Sequence, residues 1–319
     1  MALEHRFVET NGVRLHCAVA GDGPLVVLLH GFPECWYSWR HQIGALAPRF
    51  RVVAPDLRGY NESDKPAGIA AYALPELVAD VEGLVHAFGA EQAVIVGHDW
   101  GGAVAWTFAM ERPALTRRLV VMNCPHPAIF AQHLAGNPRQ LARSWYMFFF
   151  QLPWLPETLL GLGHAWAVGR AIQGTTVRQD AITADDLREL RDAASRPGAL
   201  RSAINYYRAA FRSPDVQATW PPWLRRFIHG DRPTPGVRAR LEDWPKITAP
   251  TLLVWGEQDV ALGTELTLGM EPLFAAPFEV KYIPLSGHWV QQEQAEVVNG
   301  YLLDFLSDLA ATVPPATSA

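Results

Sequence analysis

In the run Ala93-Val94-Ile95-Val96-Gly97-His98-Asp99-Trp100-Gly101-Gly102, an apolar stretch of strand length meets a sharp glycine-flanked turn and then a helix start. Small residues two before and two after Asp99 suit a strained turn in which the backbones of strand and helix crowd together, the setting of a nucleophile elbow. A plain strand-to-helix turn with Asp as N-cap would not require Gly on both sides. Having Asp at the centre restricts the chemistry. A carboxylate that displaces a leaving group at a saturated carbon leaves an ester whose carbonyl belongs to the protein, and water can attack that carbonyl. Serine at the same carbon would leave an ether, which histidine and water cannot cleave. Asp therefore suits epoxides or alkyl halides better than esters.

A water-activating pair follows in the chain order nucleophile, acid, histidine. Thr251 to Trp255 reads as a strand ending in Gly256-Glu257-Gln258-Asp259, and Phe278 to Ile283 as another ending in Pro284-Leu285-Ser286-Gly287-His288-Trp289. Asp259 is placed to orient the imidazole and stabilise its charged form, and His288 to take a proton from water. Glu257 is the nearby rival to Asp259. The other position open to the acid, after Leu119 to Met122, holds Asn123 and Cys124, neither of which can serve. Earlier, Leu28-Leu29-His30-Gly31-Phe32-Pro33-Glu34 ends a strand in a loop that can bring the Phe32 amide beside the Trp100 amide as an oxyanion hole. His30 and His98 read as buried structural residues.

These residues need a scaffold of alternating strands and helices. Phe7 to Thr10 and Val13 to Ala20 alternate around Asn11-Gly12, which predicts a hairpin. Leu25 to Leu29, Arg51 to Ala54 and Ala93 to Val96 are short apolar runs. Helical stretches from about Trp36 to Pro48 and Leu74 to Phe88 separate them, so a parallel sheet is expected. A helix from about Gly102 to Arg112 and the strand Leu119 to Met122 continue the rhythm. About Pro125 to Pro245 breaks it with helical patterns and many prolines, and a last helix from about Glu293 to Leu309 closes the chain. The expected organisation is a core of residues 1–124 and 246–309, a helical cap over 125–245, and a disordered tail over 310–319.

A chain of 319 residues, 49% hydrophobic and 18% charged, can bury one large core with an inserted subdomain. The net charge of −5 and basic clusters no longer than Arg117-Arg118 or Arg225-Arg226 argue against nucleic acid. Cys17, Cys35 and Cys124 have neither disulfide nor zinc spacing and read as reduced thiols. Met1 to Glu9 lacks the pattern of a secretory signal and no apolar stretch is membrane length, so a cytoplasmic location without membrane association is expected. Gly161-Leu162-Gly163 opens like a dinucleotide motif, but no strand precedes it and the third Gly is missing. The chemistry needs no metal and no organic cofactor, and nothing specifies an oligomeric state.

From about Phe7 to Leu309 the chain resembles the epoxide hydrolases of the α/β-hydrolase superfamily. The resemblance rests on His30-Gly31-Phe32-Pro33-Glu34, Asp56-Leu57-Arg58-Gly59-Tyr60, Gly97-His98-Asp99-Trp100-Gly101-Gly102, Gly256-Glu257-Gln258-Asp259 and Gly287-His288-Trp289. It implies an α/β-hydrolase fold, with a mostly parallel central sheet flanked by helices and an inserted helical cap. It also implies two cap tyrosines that hydrogen-bond the epoxide oxygen and protonate it as the ring opens. Ser144-Trp145-Tyr146-Met147-Phe148-Phe149-Phe150-Gln151-Leu152-Pro153 is similar to the first tyrosine segment and assigns Tyr146. Asn205-Tyr206-Tyr207-Arg208 is similar to the second and assigns Tyr207, with Tyr206 as rival, since helix neighbours point about 100° apart and only one can face the site. A phenol is acidic enough to donate to the leaving alkoxide and stays protonated at neutral pH.

The activity so implied is conversion of a small apolar epoxide and water to a vicinal diol, with Trp36, Trp145, Phe149, Phe150 and Trp154 expected along an apolar tunnel. The rival is a haloalkane dehalogenase, in which the Trp100 indole would hold the halide. That family's usual second donor, an Asn in the first oxyanion loop, is Phe32 here. A ligand-binding module without turnover is a different class of reading, but such proteins often lose a triad member, and this chain has lost none.

Overall fold

The computed structural model describes residues 2–213 and 241–310. Arg225-Arg226, part of the expected cap, and residues 311–319 of the expected tail lie outside the described residues. The tail's first residue instead ends a short helix, Ser307–Ala310.

Strands β1 (Glu4–Thr10) and β2 (Val13–Ala20) form an antiparallel hairpin through Asn11 and Gly12, with φ of 44° and 70°. β1 begins three residues earlier than its alternation predicts, because Glu4, His5 and Arg6 lie exposed at the sheet edge and show no apolar period. The remaining strands are β3 (Leu25–Leu29), β4 (Arg51–Pro55), β5 (Ala93–His98), β6 (Thr116–Met122), β7 (Thr251–Gly256) and β8 (Phe278–Ile283). They make one eight-stranded sheet in the order β1-β2-β4-β3-β5-β6-β7-β8, parallel from β4 to β8. Every residue of β3, β5 and β7 is buried, which explains their continuous apolar runs.

Helices cover both faces. On one, Val27, Leu29 and Ile95 pack with residues of α2 (Leu74–Ala87) and α3 (Trp100–Glu111). On the other, Val26, Leu28, Val94 and Val96 pack with α1 (Arg40–Leu46) and the helix Ala295–Phe305. The predicted helix over 36–48 is a 3-10 turn, Trp36–Trp39, followed by α1. The predicted last helix is three pieces, Val290–Glu293, Ala295–Phe305 and Ser307–Ala310, interrupted at Gln294, whose φ and ψ are −128° and 47°, and at Leu306.

Strand order reverses between β3 and β5, since the chain grows outward from β3 through β4 and returns to β3's other side with β5. Open sheets of this kind bind ligands outside the carboxyl ends of the strands at that point. The loops that leave β3 and β5 carry Phe32 and Asp99.

Between β6 and β7 the described elements are α4 (Pro127–Gly136), α5 (Pro138–Arg143), α6 (Trp145–Phe149), α7 (Leu155–Thr175), α8 (Ala184–Ser195) and α9 (Ala199–Phe211). α7 is broken at Leu162 to Ala165, where three successive residues have positive φ, and Gly161-Leu162-Gly163 lies at this break. Thr183 and Asp186 form a capping box at the start of α8. α9 follows Gly198, at φ 82°, and is buried over most of its surface. Among the described residues no helix is long and apolar enough to cross a membrane.

Candidate active site

Asp99 has φ 49° and ψ −120°, a region that side chains other than glycine rarely occupy. The surrounding glycines make that turn possible. A Cβ at position 97 would overlap the Gly101 carbonyl, one at 101 the Leu29 carbonyl, and one at 31 the Asp99 side chain itself. α3 starts at Trp100, two residues earlier than its sequence pattern predicts, and so directly beneath Asp99. The Phe32 amide, beside the cis Phe32–Pro33 bond, donates to Asp99 Oδ1 at 2.7 Å. Trp100 is the first helical residue, so its amide has no intrahelical acceptor.

The other carboxylate oxygen, Asp99 Oδ2, lies 3.6 Å from His288 Nε2, and His288 Nδ1 lies 2.7 Å from Asp259 Oδ2. Asp259 is fully enclosed by donors. Its Oδ1 accepts from the amides of Ala261 (2.7 Å) and Leu262 (3.0 Å), and its Oδ2 also accepts from Asn123 Nδ2 at 2.8 Å. Glu257, the rival acid, is exposed.

Burial by itself would raise both carboxyls. For Asp259 the charge and hydrogen bond of His288, then Asn123 and the Leu262 amide, outweigh it and hold the carboxyl below its usual range. For Asp99 the close approach and charge of His288, with the Phe32 amide, do the same. Burial would lower the His288 imidazole, but Asp259 and then Asp99 raise it well above the ordinary histidine value. Both carboxylates therefore favour the charged form of the imidazole.

A buried polar network ties the three loops together. Glu34 Oε2 accepts from the Gly31 amide at 3.3 Å and pairs with His98 Nδ1 at 2.9 Å. Its Oε1 accepts from Gln291 at 3.0 Å and Gln292 at 2.7 Å. His98 Nε2 reaches the His288 carbonyl at 2.8 Å. Glu293 then accepts from the amides of Gly287 (3.1 Å) and Trp289 (3.3 Å) on the histidine loop, and from Val177 (2.8 Å) and Arg178 (3.1 Å) after α7. Sequence reasoning finds His98 as structural but misses Gly31, Glu34, Asn123 and Glu293. Only the acidic residue inside an otherwise apolar loop, at Glu34, offers a signal. His30 is buried, with its Nε2 accepting from the Leu57 amide at 3.0 Å.

The helices between β6 and β7 bring two tyrosines together. The rings of Tyr146 on α6 and Tyr207 on α9 stand 5.8 Å apart and nearly perpendicular. Tyr207 also packs edge-on against Phe32 (5.3 Å), Trp100 (5.0 Å) and Phe150 (4.9 Å). Burial raises both phenols, and the charge of Asp99 raises them further, so both stay protonated at neutral pH. Tyr206 points elsewhere, its hydroxyl donating to the Arg58 carbonyl at 2.7 Å. Arg208 fixes the relation of the two helices. It donates to the carbonyls of Phe150 (2.9 Å) and Leu152 (2.6 Å) and pairs with Glu157 at 2.6 Å.

The five aromatic residues expected along a tunnel divide. Phe150 is buried against Phe32 and both tyrosines, and Phe149 packs beside Phe150. Trp145 and Trp154 are instead 64% and 70% exposed, because their positions on α6 and just before α7 turn them outward. Trp36 packs against His5 and His16 of the hairpin. These three tryptophans do not join the tyrosine cluster.

The strand order, the elbow after β5, the loop after β7 and the histidine loop after β8 define an α/β-hydrolase. The alpha/beta hydrolase fold family matches residues 24–295. The chain is 36% identical to epoxide hydrolase 4 of Mus musculus over 94% of this chain and 78% of the mouse protein. It is also 36% identical to epoxide hydrolase B of Mycobacterium tuberculosis, over 97% and 99% of the two chains. A Bacillus megaterium epoxide hydrolase crystallised with an inhibitor matches with a TM-score of 0.82 at 29% identity, covering 95% of this chain and 100% of that one. The chain belongs to the epoxide hydrolases of the α/β-hydrolase superfamily.

Proposed function

We propose that this protein hydrolyses small apolar epoxides to vicinal diols through a covalent ester on Asp99, with residues 125–245 acting as a cap over a core of residues 1–124 and 246–309. The observation that carries the reading is the pair of phenols, Tyr146 half-buried and Tyr207 buried, packed together with Tyr207 against the Phe32 and Trp100 rings of the elbow.

In the first step Asp99 Oδ2 attacks a ring carbon and the carbon–oxygen bond breaks. The oxygen takes the electron pair and receives a proton from Tyr146 or Tyr207. Oδ1, already at the Phe32 amide, becomes the ester carbonyl oxygen. Forming the ester removes the Asp99 charge, one of the causes that raise His288, so the imidazolium passes its proton to the tyrosinate more readily and becomes the base the next step needs.

In the second step His288 takes a proton from water and hydroxide adds to the ester carbonyl carbon. The amides of Phe32 and Trp100 stabilise the resulting oxyanion while Asp259 stabilises the imidazolium. Collapse breaks the bond between that carbon and the alkyl oxygen. The departing alkoxide takes the proton of the regenerated Asp99 carboxyl, which completes the diol, and His288 keeps the proton taken from water. Phe149 and Phe150 supply apolar wall for the substrate.

Diol and bromide release should be compared across aryl and alkyl epoxides and matched bromoalkanes, with wild type and Asp99→Ala. Diol without bromide, lost in the variant, is the expected result. Bromide without diol would make the Trp100 indole a halide donor and leave the two tyrosines as packing.

A further inference from the structure

Asn123 stands at the end of β6, where the chain could have placed the acid, and it is completely buried. Its φ is 39°, a conformation that Asn tolerates better than most side chains. The side-chain amide bridges two elements. Oδ1 accepts from the Gly256 amide at 2.9 Å, and Nδ2 donates to Asp259 Oδ2 at 2.8 Å. A backbone N–H can only donate, so the bond from Gly256 fixes which end of the amide is oxygen and aims the NH2 group at Asp259.

The oxygen it meets is the one that pairs with His288 Nδ1 at 2.7 Å, while the Ala261 and Leu262 amides hold the other oxygen. Without Asn123, Asp259 Oδ2 would have His288 as its one remaining hydrogen-bond donor, and the carboxylate could rotate with the imidazole instead of fixing it.

We propose that Asn123 is a positioning residue for ester hydrolysis. It fixes the Asp259 carboxylate so that His288 presents Nε2 toward Asp99. This role rests on the two-step reading above and makes a step-specific claim. Attack by Asp99 needs its own carboxylate and the tyrosines, whereas hydrolysis needs His288 correctly aimed. The loss should fall on the second step.

Two full-length variants separate this role from simple bracing of β6 against β7. Asn123→Gly keeps the positive φ and deletes the side-chain hydrogen bonds to Gly256 and Asp259. Asn123→Asp keeps an acceptor for the Gly256 amide and removes the donor to Asp259. Each would be mixed with styrene oxide, quenched in acid at successive times and weighed intact, with diol measured in parallel. In both variants we expect a covalent adduct of the epoxide's mass to accumulate, with hydrolysis slowed at least about tenfold and alkylation changed less than about threefold.

If Asn123→Asp turns over like wild type while Asn123→Gly loses activity, Asn123 is a brace and the proposal falls. Equal slowing of both steps in both variants overturns it as well. If the wild type forms neither adduct nor diol, the two-step reading itself fails and takes this role with it.

Discussion

The triad and the tyrosine pair are built by different means. Asp99, Asp259 and His288 sit on loops that leave the ends of parallel strands. Backbone conformation, glycine contacts and multiple hydrogen bonds fix them, and Asp259 alone accepts four. Tyr146 and Tyr207 sit on helices of the insertion, located by ring packing and by the Arg208 clamp. The charged groups are held by loops at the ends of the sheet's strands, while the phenols are carried by helices.

The sharpest test of this contrast is Asp259→Asn, which should slow ester hydrolysis at least about a hundredfold by losing the imidazole's orientation and charge stabilisation. Its pH dependence has a definite sign. Hydrolysis needs neutral His288, so it fails as pH falls through that residue's raised pKa. Removing the Asp259 charge removes the main cause of the rise, and the acid limb of the remaining hydrolysis should move to lower pH. An unmoved limb in single-turnover measurements would show that Asp259 is not the partner of the base.

A smaller effect is expected on the helical side. Tyr207→Phe should slow alkylation about a hundredfold, with Tyr146 left to donate, and should spare hydrolysis of ester once formed. Its neighbour gives the control. Tyr206→Phe should leave both steps nearly intact and lower stability by about 1–2 kcal/mol in urea denaturation, because it strands the buried Arg58 carbonyl. The reverse pattern, with Tyr206 controlling alkylation, would break the assignment of α9.

Much of the candidate site is legible in the sequence, and physical causes separate what is from what is not. The elbow can be read because its strain demands glycine at fixed offsets, and the acid and histidine because each follows a recognisable strand, β7 buried throughout and β8 partly exposed. Glu34, Asn123 and Glu293 cannot be read in this way. Each has partners far away in sequence, as with Asn123 and Asp259, and a buried carboxylate or amide looks no different in sequence from an exposed one. The aromatic residues of the insertion mislead for a related reason. Residue type predicts an apolar environment for Trp145 and Trp154, but the rotation of short helices and turns decides which way they face, and both face solvent.

Single turnover in water enriched in oxygen-18, with enzyme in excess over styrene oxide, addresses the central claim most directly. The account predicts that the new oxygen enters the Asp99 carboxylate. The peptide containing Asp99 should therefore gain the label, while the first diol released carries an unlabelled oxygen taken from the enzyme. Label in the diol of that first turnover, with none in the peptide, would mean that water attacks the epoxide directly and would contradict the covalent role of Asp99.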